Sequence, residues 1–177
     1  MLGVAPWRVN LNWDDLNWDH EAATVDAMKQ VTVAALGLWL GAMGFFAFVV
    51  APAAFSTLDR EAAGRFVGAV FPKYYAVGLG VGLIALASVV VRVLGRGVRP
   101  LDWLPIGLLV LMLALTLYAG AVVLPAAHAA REAMRAAGAD PMAAASFARL
   151  HRLSSVLNVI VMLAGIVTLI MEAVRTR

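Results

Sequence analysis

The chain has 177 residues, of which 63% are hydrophobic and only 14% are charged. A soluble domain carries about 25% charged residues, so much of this apolar surface must face lipid instead of water. The net charge of +3 comes from scattered basic residues that form no tract, which argues against nucleic-acid binding. Cysteine is absent, which excludes disulfides, thiolate metal sites and a cysteine nucleophile.

The N-terminal segment, residues 1–30, is polar, rich in Trp and Asp, and lacks the pattern of a secretory signal. Residues 11–15 are nearly repeated at 16–20, and each copy contains Leu-Asn-Trp-Asp. The tryptophans are typical of an interfacial anchor or a partner contact, and a poorly ordered tail is the alternative. We expect the first apolar run after this segment to act as its own insertion signal.

Four apolar stretches are long enough to cross a bilayer, which takes about 20 helical residues. They cover residues 31–51, 74–91, 104–124 and 153–171. Together they define a membrane domain of residues 31–173, followed by a short tail, 174–177. The sequence therefore predicts an all-α integral membrane four-helix bundle.

Two prolines lie at corresponding places in the chain. Pro52 and Pro125 follow the first and third apolar runs and are predicted to end them, because proline lacks the N–H and clashes with the preceding turn. Residues 49–55 also parallel residues 122–128 around these prolines. We therefore predict two duplicated two-helix halves, related by a pseudo-two-fold axis along the membrane normal.

Further helix limits follow from capping residues. Asp59 is predicted to cap a shorter helix that reaches Phe71. Asp140 and Pro141 read as an N-cap and first helical position, and they predict one helix that runs unbroken to Glu172. The turn-rich connection between the second and third spans predicts that these spans pack antiparallel.

Membrane orientation depends on Lys and Arg in the loops. The side that holds the termini and the side that holds the two long connectors have seven each, so the positive-inside count is a tie. Arg92, Arg96 and Arg99 crowd one very short loop, where the rule is strongest. This favours both termini in the cytoplasm, with the chain in the cell (inner) membrane.

Small residues mark one face of the first span. Gly37, Gly41 and Gly44 recur at helical spacing, and small residues let helices approach closely in lipid. They are predicted to form a helix-packing seam, with a sliding or gating surface as the alternative.

A polar stripe follows the fourth span. His151, Ser155 and Asn158 recur at helical spacing, with Ser154 beside them. Polar groups facing lipid are costly, so this stripe is predicted to point into the bundle. It either fixes helix register through hydrogen bonds or forms a ligand or ion site.

Basic and aromatic residues are predicted to surround the mouth of that site. Lys73 and Tyr74 begin the second span, and Arg152 precedes the fourth. If the halves are duplicated, these residues lie at equal depth, with Lys73 and Arg152 on the rim. A basic rim suits a polar or anionic ligand, although interfacial tyrosines are also common as membrane-belt residues.

A metal centre is a further hypothesis. His128, Glu132 and His151 are of the types found in two-histidine, one-carboxylate sites, and solvated residues at a helix end are the alternative. No phosphate loop, dinucleotide fingerprint or zinc-protease motif is present, so no catalytic residue is assigned.

Several short motifs resemble a known family, the small four-helix membrane proteins named after transmembrane protein 205, which are grouped as a domain of unknown function. The motifs are Leu-Trp-Leu-Gly at 38–41, Ala-Pro-Ala-Ala-Phe at 51–55, Leu-Asp-Arg at 58–60, Gly64, Phe-Pro-Lys-Tyr-Tyr at 71–75, and Leu-His-Arg-Leu-Ser-Ser-Val-Leu-Asn at 150–158. The resemblance covers residues 31–173 and implies four spans in a membrane. It links the chain to a relative associated with platinum-drug resistance, and distantly to copper-resistance membrane domains. His128 and the N-terminal repeat lie outside the motifs.

Three hypotheses for function remain open at this stage. The first is a non-enzymatic membrane protein that binds or helps to move a small ligand or metal ion. The second is a structural accessory subunit of a larger membrane complex, with a homo-oligomer as a related arrangement. The third is a membrane oxidoreductase that holds haem; copper is the other cofactor considered.

Overall fold

A computed structural model of the chain describes residues 13–136 and 141–174, with side chains from residue 23 onward. Within these ranges the chain is helical apart from short turns and contains no β-strand, which confirms the all-α prediction. Six α-helices occur in the described residues: α1 (Trp13–Phe45), α2 (Ala51–Thr57), α3 (Arg60–Arg96), α4 (Trp103–Tyr118), α5 (Leu124–Ala136) and α6 (Pro141–Val174).

Continuous helical rods within the described part of the chain are long and apolar enough to cross a membrane, and there are four of them: Ala23–Thr57, Arg60–Arg96, Pro100–Ala136 and Pro141–Val174. At 1.5 Å per residue each is about 50–56 Å long, so its ends extend beyond a hydrocarbon core of about 30 Å. Large apolar side chains point outward along the rods; Phe48 is 75% exposed and Leu94 is 73% exposed. The four-helix bundle predicted from the sequence is therefore confirmed, and its outer surface suits lipid.

The prediction that proline ends the first and third runs is wrong. The chain passes from α1 into α2 through a π-helical turn, Phe46–Val50, and from α4 into α5 through a second one, Ala119–Val123. In each turn a backbone N–H donates five residues back, just before Pro52 or Pro125. The wider π-helical turn accommodates the proline, which has no N–H to donate, and the helix continues through it. Both turns occupy the same place in the two sequence repeats.

Asp59 caps α3 as predicted. Its carboxylate accepts hydrogen bonds from the N–H groups of Glu61 at 2.9 Å and Ala62 at 2.8 Å. These bonds hold the pKa of Asp59 below its usual value, and the bond from Ala62 has the largest effect. The helix does not stop near Phe71 but continues through Pro72.

The long last helix was also predicted correctly. The helix α6 begins at Pro141 and runs unbroken through Glu172. Asp140 lies outside the described residues. By contrast, α1 begins at Trp13, well inside the polar segment 1–30, so the helix extends beyond the apolar run that defined the first span.

The glycines predicted to form a packing seam on α1 do not pack against the described helices of this chain. Gly37 and Gly41 are exposed, Gly44 is half-buried, and a Cβ added at any of the three would meet nothing within 4 Å. The buried face of α1 carries Leu36 and Trp39 instead, because large apolar side chains fill the interior. The three glycines lie on the opposite, outward face.

Close helix approach occurs on α3. A Cβ at Gly78 would lie 2.8 Å from the indole nitrogen of Trp39, and one at Gly82 would lie 2.5 Å from its ring. The Trp39 ring therefore occupies the space that these two glycines leave. Around it, core residues from α1, α3, α4 and α6 form an apolar layer: Leu36, Val89, Leu109, Met112 and Val161.

Candidate functional site

A hydrogen-bonded network joins α3 to α6 near the connectors, where α3 enters the bundle. The hydroxyl of Tyr74 donates to Oδ1 of Asn158 at 2.9 Å. Nδ2 of Asn158 donates to the Tyr75 hydroxyl at 3.4 Å and to the carbonyl of Ser154 at 3.0 Å. The hydroxyls of Tyr75 and Ser154 lie 3.0 Å apart. We call these four residues the neutral cluster, because none of them carries a formal charge.

Aromatic packing fixes the tyrosines of the neutral cluster. Phe46 from the first π-helical turn contacts Phe71 and Tyr74, with ring centroids 5.1 and 5.3 Å away. Phe71 stacks on Tyr75 at 5.8 Å. A Cβ added to Gly120 would lie 3.2 Å from Tyr75, so the second π-helical turn also approaches the ring closely. Both π-helical turns therefore pack against the neutral cluster.

The predicted rim residues lie outside the network. Lys73 and Arg152 are both exposed, each within two residues of a neutral-cluster member. Ser155 is exposed too, and its hydroxyl donates back to the carbonyl of His151 at 2.9 Å. The candidate site thus has neutral hydrogen-bonding groups inside and basic side chains at its edge.

Asn158 is directed into the bundle as predicted, but His151 is not. The His151 side chain is exposed, and its ring stacks on Phe147 with centroids 6.1 Å apart. Helical side chains lean toward the N-terminus of their helix, which carries this ring away from the neutral cluster. Tyr75 was recognised in the sequence only as part of the motif at 71–75 and was not among the predicted ligand-binding residues.

The structure does not assemble the predicted metal ligands. His128 and Glu132 are exposed on α5, and among the described residues no group of three or more His, Asp or Glu side chains is placed to hold a metal ion. His128 instead packs near Gly68, where an added Cβ would lie 3.3 Å from its Nε2. Neither His128 nor His151 points into the bundle, so these two do not fit axial ligands of a haem held there.

A second polar region, which the sequence reasoning missed, lies at the opposite end of α3. Arg92 pairs with Glu172 at 2.5 Å, and their side chains are only 3% and 0% exposed. Arg96 pairs with the fully buried Asp102 at 2.6 Å, and the backbone N–H of Arg99 donates to the same carboxylate. We call Arg92, Arg96, Asp102 and Glu172 the charged cluster.

The two clusters are separated along the helices. Arg92 lies 18 residues after Tyr74, and Glu172 lies 14 residues after Asn158. At 1.5 Å per residue these separations are about 27 and 21 Å, close to the hydrocarbon thickness. Arg92 and Glu172 were interpreted from the sequence only as the ends of their spans. The signal for an ion pair was that they carry opposite charges at equal depth on two parallel spans.

Contacts between the two connectors place them on one side of the bundle. Glu61 of α3 pairs with Arg65 at 2.7 Å and with Arg135 of α5 at 3.3 Å. Arg131 of α5 donates to the Glu61 carbonyl at 3.3 Å and packs against Gly64. These contacts bring the segment after Asp59 next to α5.

Comparison with known proteins identifies a family but no activity. A family model with the description "Domain of unknown function (DUF4149)" matches residues 34–136. An uncharacterised protein of Aquifex aeolicus (strain VF5) is 35% identical over 100 residues, which is 56% of this chain and 69% of that protein. No solved structure matches with comparable significance. The family match includes Tyr74, Tyr75 and Arg92 but ends before α6, which supplies Asn158 and Glu172.

Proposed function

The chain belongs to the family described as Domain of unknown function (DUF4149), and we propose that it is a non-enzymatic membrane protein that binds, or helps to move, a small polar or anionic ligand. The proposed site is the neutral cluster. The observation that carries this proposal is the network in which Tyr74 and Tyr75 of one span bond to Asn158 and Ser154 of another. These groups present donors and acceptors together at the mouth of the bundle.

The chemistry of the neutral cluster suits exchange with a ligand. Hydroxyl groups both donate and accept, so Tyr74 and Tyr75 can exchange a bond to Asn158 for one to a ligand oxygen. Lys73 and Arg152 are exposed close by and would attract a negatively charged group to the mouth. A metal ion is less well supported, because the described His, Asp and Glu residues do not converge.

Thermal unfolding of the purified protein in lipid nanodiscs tests the proposal. The probes are inorganic phosphate, acetate, citrate, Zn²⁺ and Cu²⁺, each titrated at constant ionic strength. We expect an oxyanion to raise the unfolding temperature in the wild type. Asn158→Ala should abolish this response, whereas Ser155→Ala should keep it, since Ser155 is exposed and its hydroxyl donates to the His151 carbonyl of its own helix.

Two results would contradict a ligand site in the neutral cluster. One is an unfolding temperature that no probe changes. The other is a response of equal size in the wild type and in Asn158→Ala. A rise in unfolding temperature with Zn²⁺ or Cu²⁺ alone would show that the site binds a metal ion and not an anion.

A second candidate function is an accessory subunit of a larger membrane complex or a homo-oligomer. The outward face with Gly37, Gly41 and Gly44 favours it, because small residues on a lipid-facing surface allow another helix to approach. Native purification distinguishes the two functions. A stoichiometric partner that is lost in Gly41→Leu, without any ligand-dependent stabilisation, would favour the subunit.

The membrane setting and the finer family relation are also proposals. We propose that the chain lies in the cell (inner) membrane with both termini cytoplasmic, on the strength of the arginines in the short loop before Pro100. We further propose kinship with the transmembrane protein 205-like group, supported by the Phe-Pro-Lys-Tyr-Tyr motif at 71–75. The tyrosines of that motif form half of the neutral cluster.

A further inference from the structure

Arg92 has an unused hydrogen-bonding edge inside the bundle. Its side chain is 3% exposed, and Nη1 pairs with Glu172. The nitrogens of the other edge, Nε and Nη2, are buried and have no hydrogen-bond partner among the described residues. Buried donors are nearly always paired, because leaving one without an acceptor is costly. This edge of Arg92 therefore requires an acceptor.

Arg96 repeats the arrangement one helical turn further on. Its Nη2 pairs with Asp102 at 2.6 Å, while Nη1 is buried and has no partner within the described ranges. Residues four apart lie on the same face of a helix. Two neighbouring guanidinium groups thus retain three buried nitrogens that can only donate.

The described side chains around these arginines include more basic than acidic groups. In addition to the charged cluster, Lys29 and Asp26 on α1 line a cavity of about 540 Å³ that also reaches Ala173 on α6. With the exposed Arg99, the described side chains at this end comprise four basic and three acidic groups: Lys29, Arg92, Arg96 and Arg99 against Asp26, Asp102 and Glu172. Among the described side chains at this end, basic groups therefore exceed acidic groups by one.

We propose that Arg92 and Arg96 bind a small monovalent anion of the chloride or nitrate class. The Nε and Nη2 edge of a guanidinium is a planar fork that binds an acceptor through two parallel hydrogen bonds. Burial of all three nitrogens restricts the occupant to a small species, and because these nitrogens only donate, the occupant must accept hydrogen bonds. This site lies about 27 Å along α3 from the neutral cluster and does not depend on the ligand proposed there.

Anion titration of the full chain in nanodiscs tests the site. The protein is prepared in sodium gluconate, and chloride, bromide or nitrate replaces gluconate at constant ionic strength. We expect the unfolding temperature to rise and saturate with the small anions. In the charge-neutral double variant Arg92→Gln/Glu172→Gln, binding should be at least about tenfold weaker, because two charge-assisted hydrogen bonds are lost.

The control is Arg60→Gln, which removes an exposed charge at the opposite end of α3 and should keep the saturating response. A response of equal size in the double variant and the wild type would overturn the proposal, and so would an unfolding temperature that is independent of anion identity. If the double variant does not fold, a crystal of the wild-type protein grown in bromide decides. Anomalous density within hydrogen-bonding distance of Arg92 Nε and Nη2 supports the site, and density from water alone refutes it.

Discussion

The neutral and charged clusters join the same two helices, α3 and α6, by different physics. Tyr74, Tyr75, Ser154 and Asn158 use uncharged groups, of which Tyr75 is buried and the other three are half-buried. Arg92 and Glu172 use formal charges that are almost fully buried. An apolar layer around Trp39 separates the two regions.

The two clusters should respond differently to substitution. A neutral hydroxyl or amide can exchange partners at modest cost, so the neutral cluster can accept a ligand and relax. A buried charge that loses its partner is left uncompensated in a low-dielectric interior, so the charged cluster tolerates little. We therefore expect the neutral cluster to control the response to the ligand proposed there, and the charged cluster to have the larger effect on the stability of the bundle.

The largest expected effect is at Arg92. Arg92→Gln should lower the free energy of unfolding by about 3–5 kcal/mol, because Glu172 keeps its buried charge without this partner. Adding Glu172→Gln should recover most of the loss. Unfolding in mixed micelles, followed by tryptophan fluorescence, measures both variants. A loss below about 1 kcal/mol in the single variant would contradict the expectation that the charged cluster tolerates substitution less well than the neutral cluster.

The layer between the clusters should respond next. Gly82→Ala places a Cβ 2.5 Å from the Trp39 ring and 2.8 Å from Leu113, and overpacking of this kind costs about 1–3 kcal/mol. Gly80→Ala is the matched control on the same helix, since nothing lies within 4 Å of its added Cβ. Equal stability of the two variants in the same micelle assay would show that the layer is not tightly packed.

The neutral cluster should lose less than the charged one. Asn158→Ala removes bonds to Tyr74, Tyr75 and the Ser154 carbonyl. Hydrogen bonds between membrane helices average about 0.6 kcal/mol, so we expect a loss of about 1–2 kcal/mol in the free energy of unfolding. Ser155→Ala should change it by under about 0.5 kcal/mol. If Asn158→Ala lowered the free energy of unfolding as much as Arg92→Gln, the main role of the network would be to stabilise the fold.

The smallest effect is expected at Asp59, at the connector end of α3. Because the hydrogen bond from Ala62 lowers its folded-state pKa, the stabilisation is fully present above the usual carboxyl pKa and is lost as pH falls through the lowered value. Asp59→Ala should therefore speed amide exchange at Glu61 and Ala62 at neutral pH and remove the acid dependence there. Asp59→Asn should retain the cap. Unchanged exchange in Asp59→Ala would contradict this role.

Much of the fold was predictable from sequence because lipid imposes a simple length and polarity rule on each span. The cap at Asp59 and the helix from Pro141 followed from local signals of similar simplicity. The prediction that Pro52 ends a helix failed because a π-helical turn accommodates the proline. Whether such a turn forms depends on the hydrogen-bond register of the preceding residues, which the proline itself does not reveal. Gly41 lies on the outward face of α1 because larger side chains, including Trp39, fill the interior.

The candidate site was predictable only in part. Asn158 and Tyr74 were identified from the helical spacing of polar residues on α6 and from the start of α3. His151 shares that spacing, but its ring leans back toward Phe147, and such a direction is set by rotamer and not by spacing. Arg92 and Glu172 were missed because pairing depends on the relative depth of two helices.

Cysteine labelling in intact cells tests most directly the claim that the two clusters lie at opposite faces of a membrane. The chain has no cysteine, so Ser56→Cys near the neutral cluster and Val98→Cys, at an exposed position near the charged cluster, each provide one reactive site. A membrane-impermeant maleimide should label one variant in intact cells and the other only after permeabilisation, and labelling of Ser56→Cys from outside would also place the termini in the cytoplasm. Labelling of both variants from the same side would contradict the four-span arrangement.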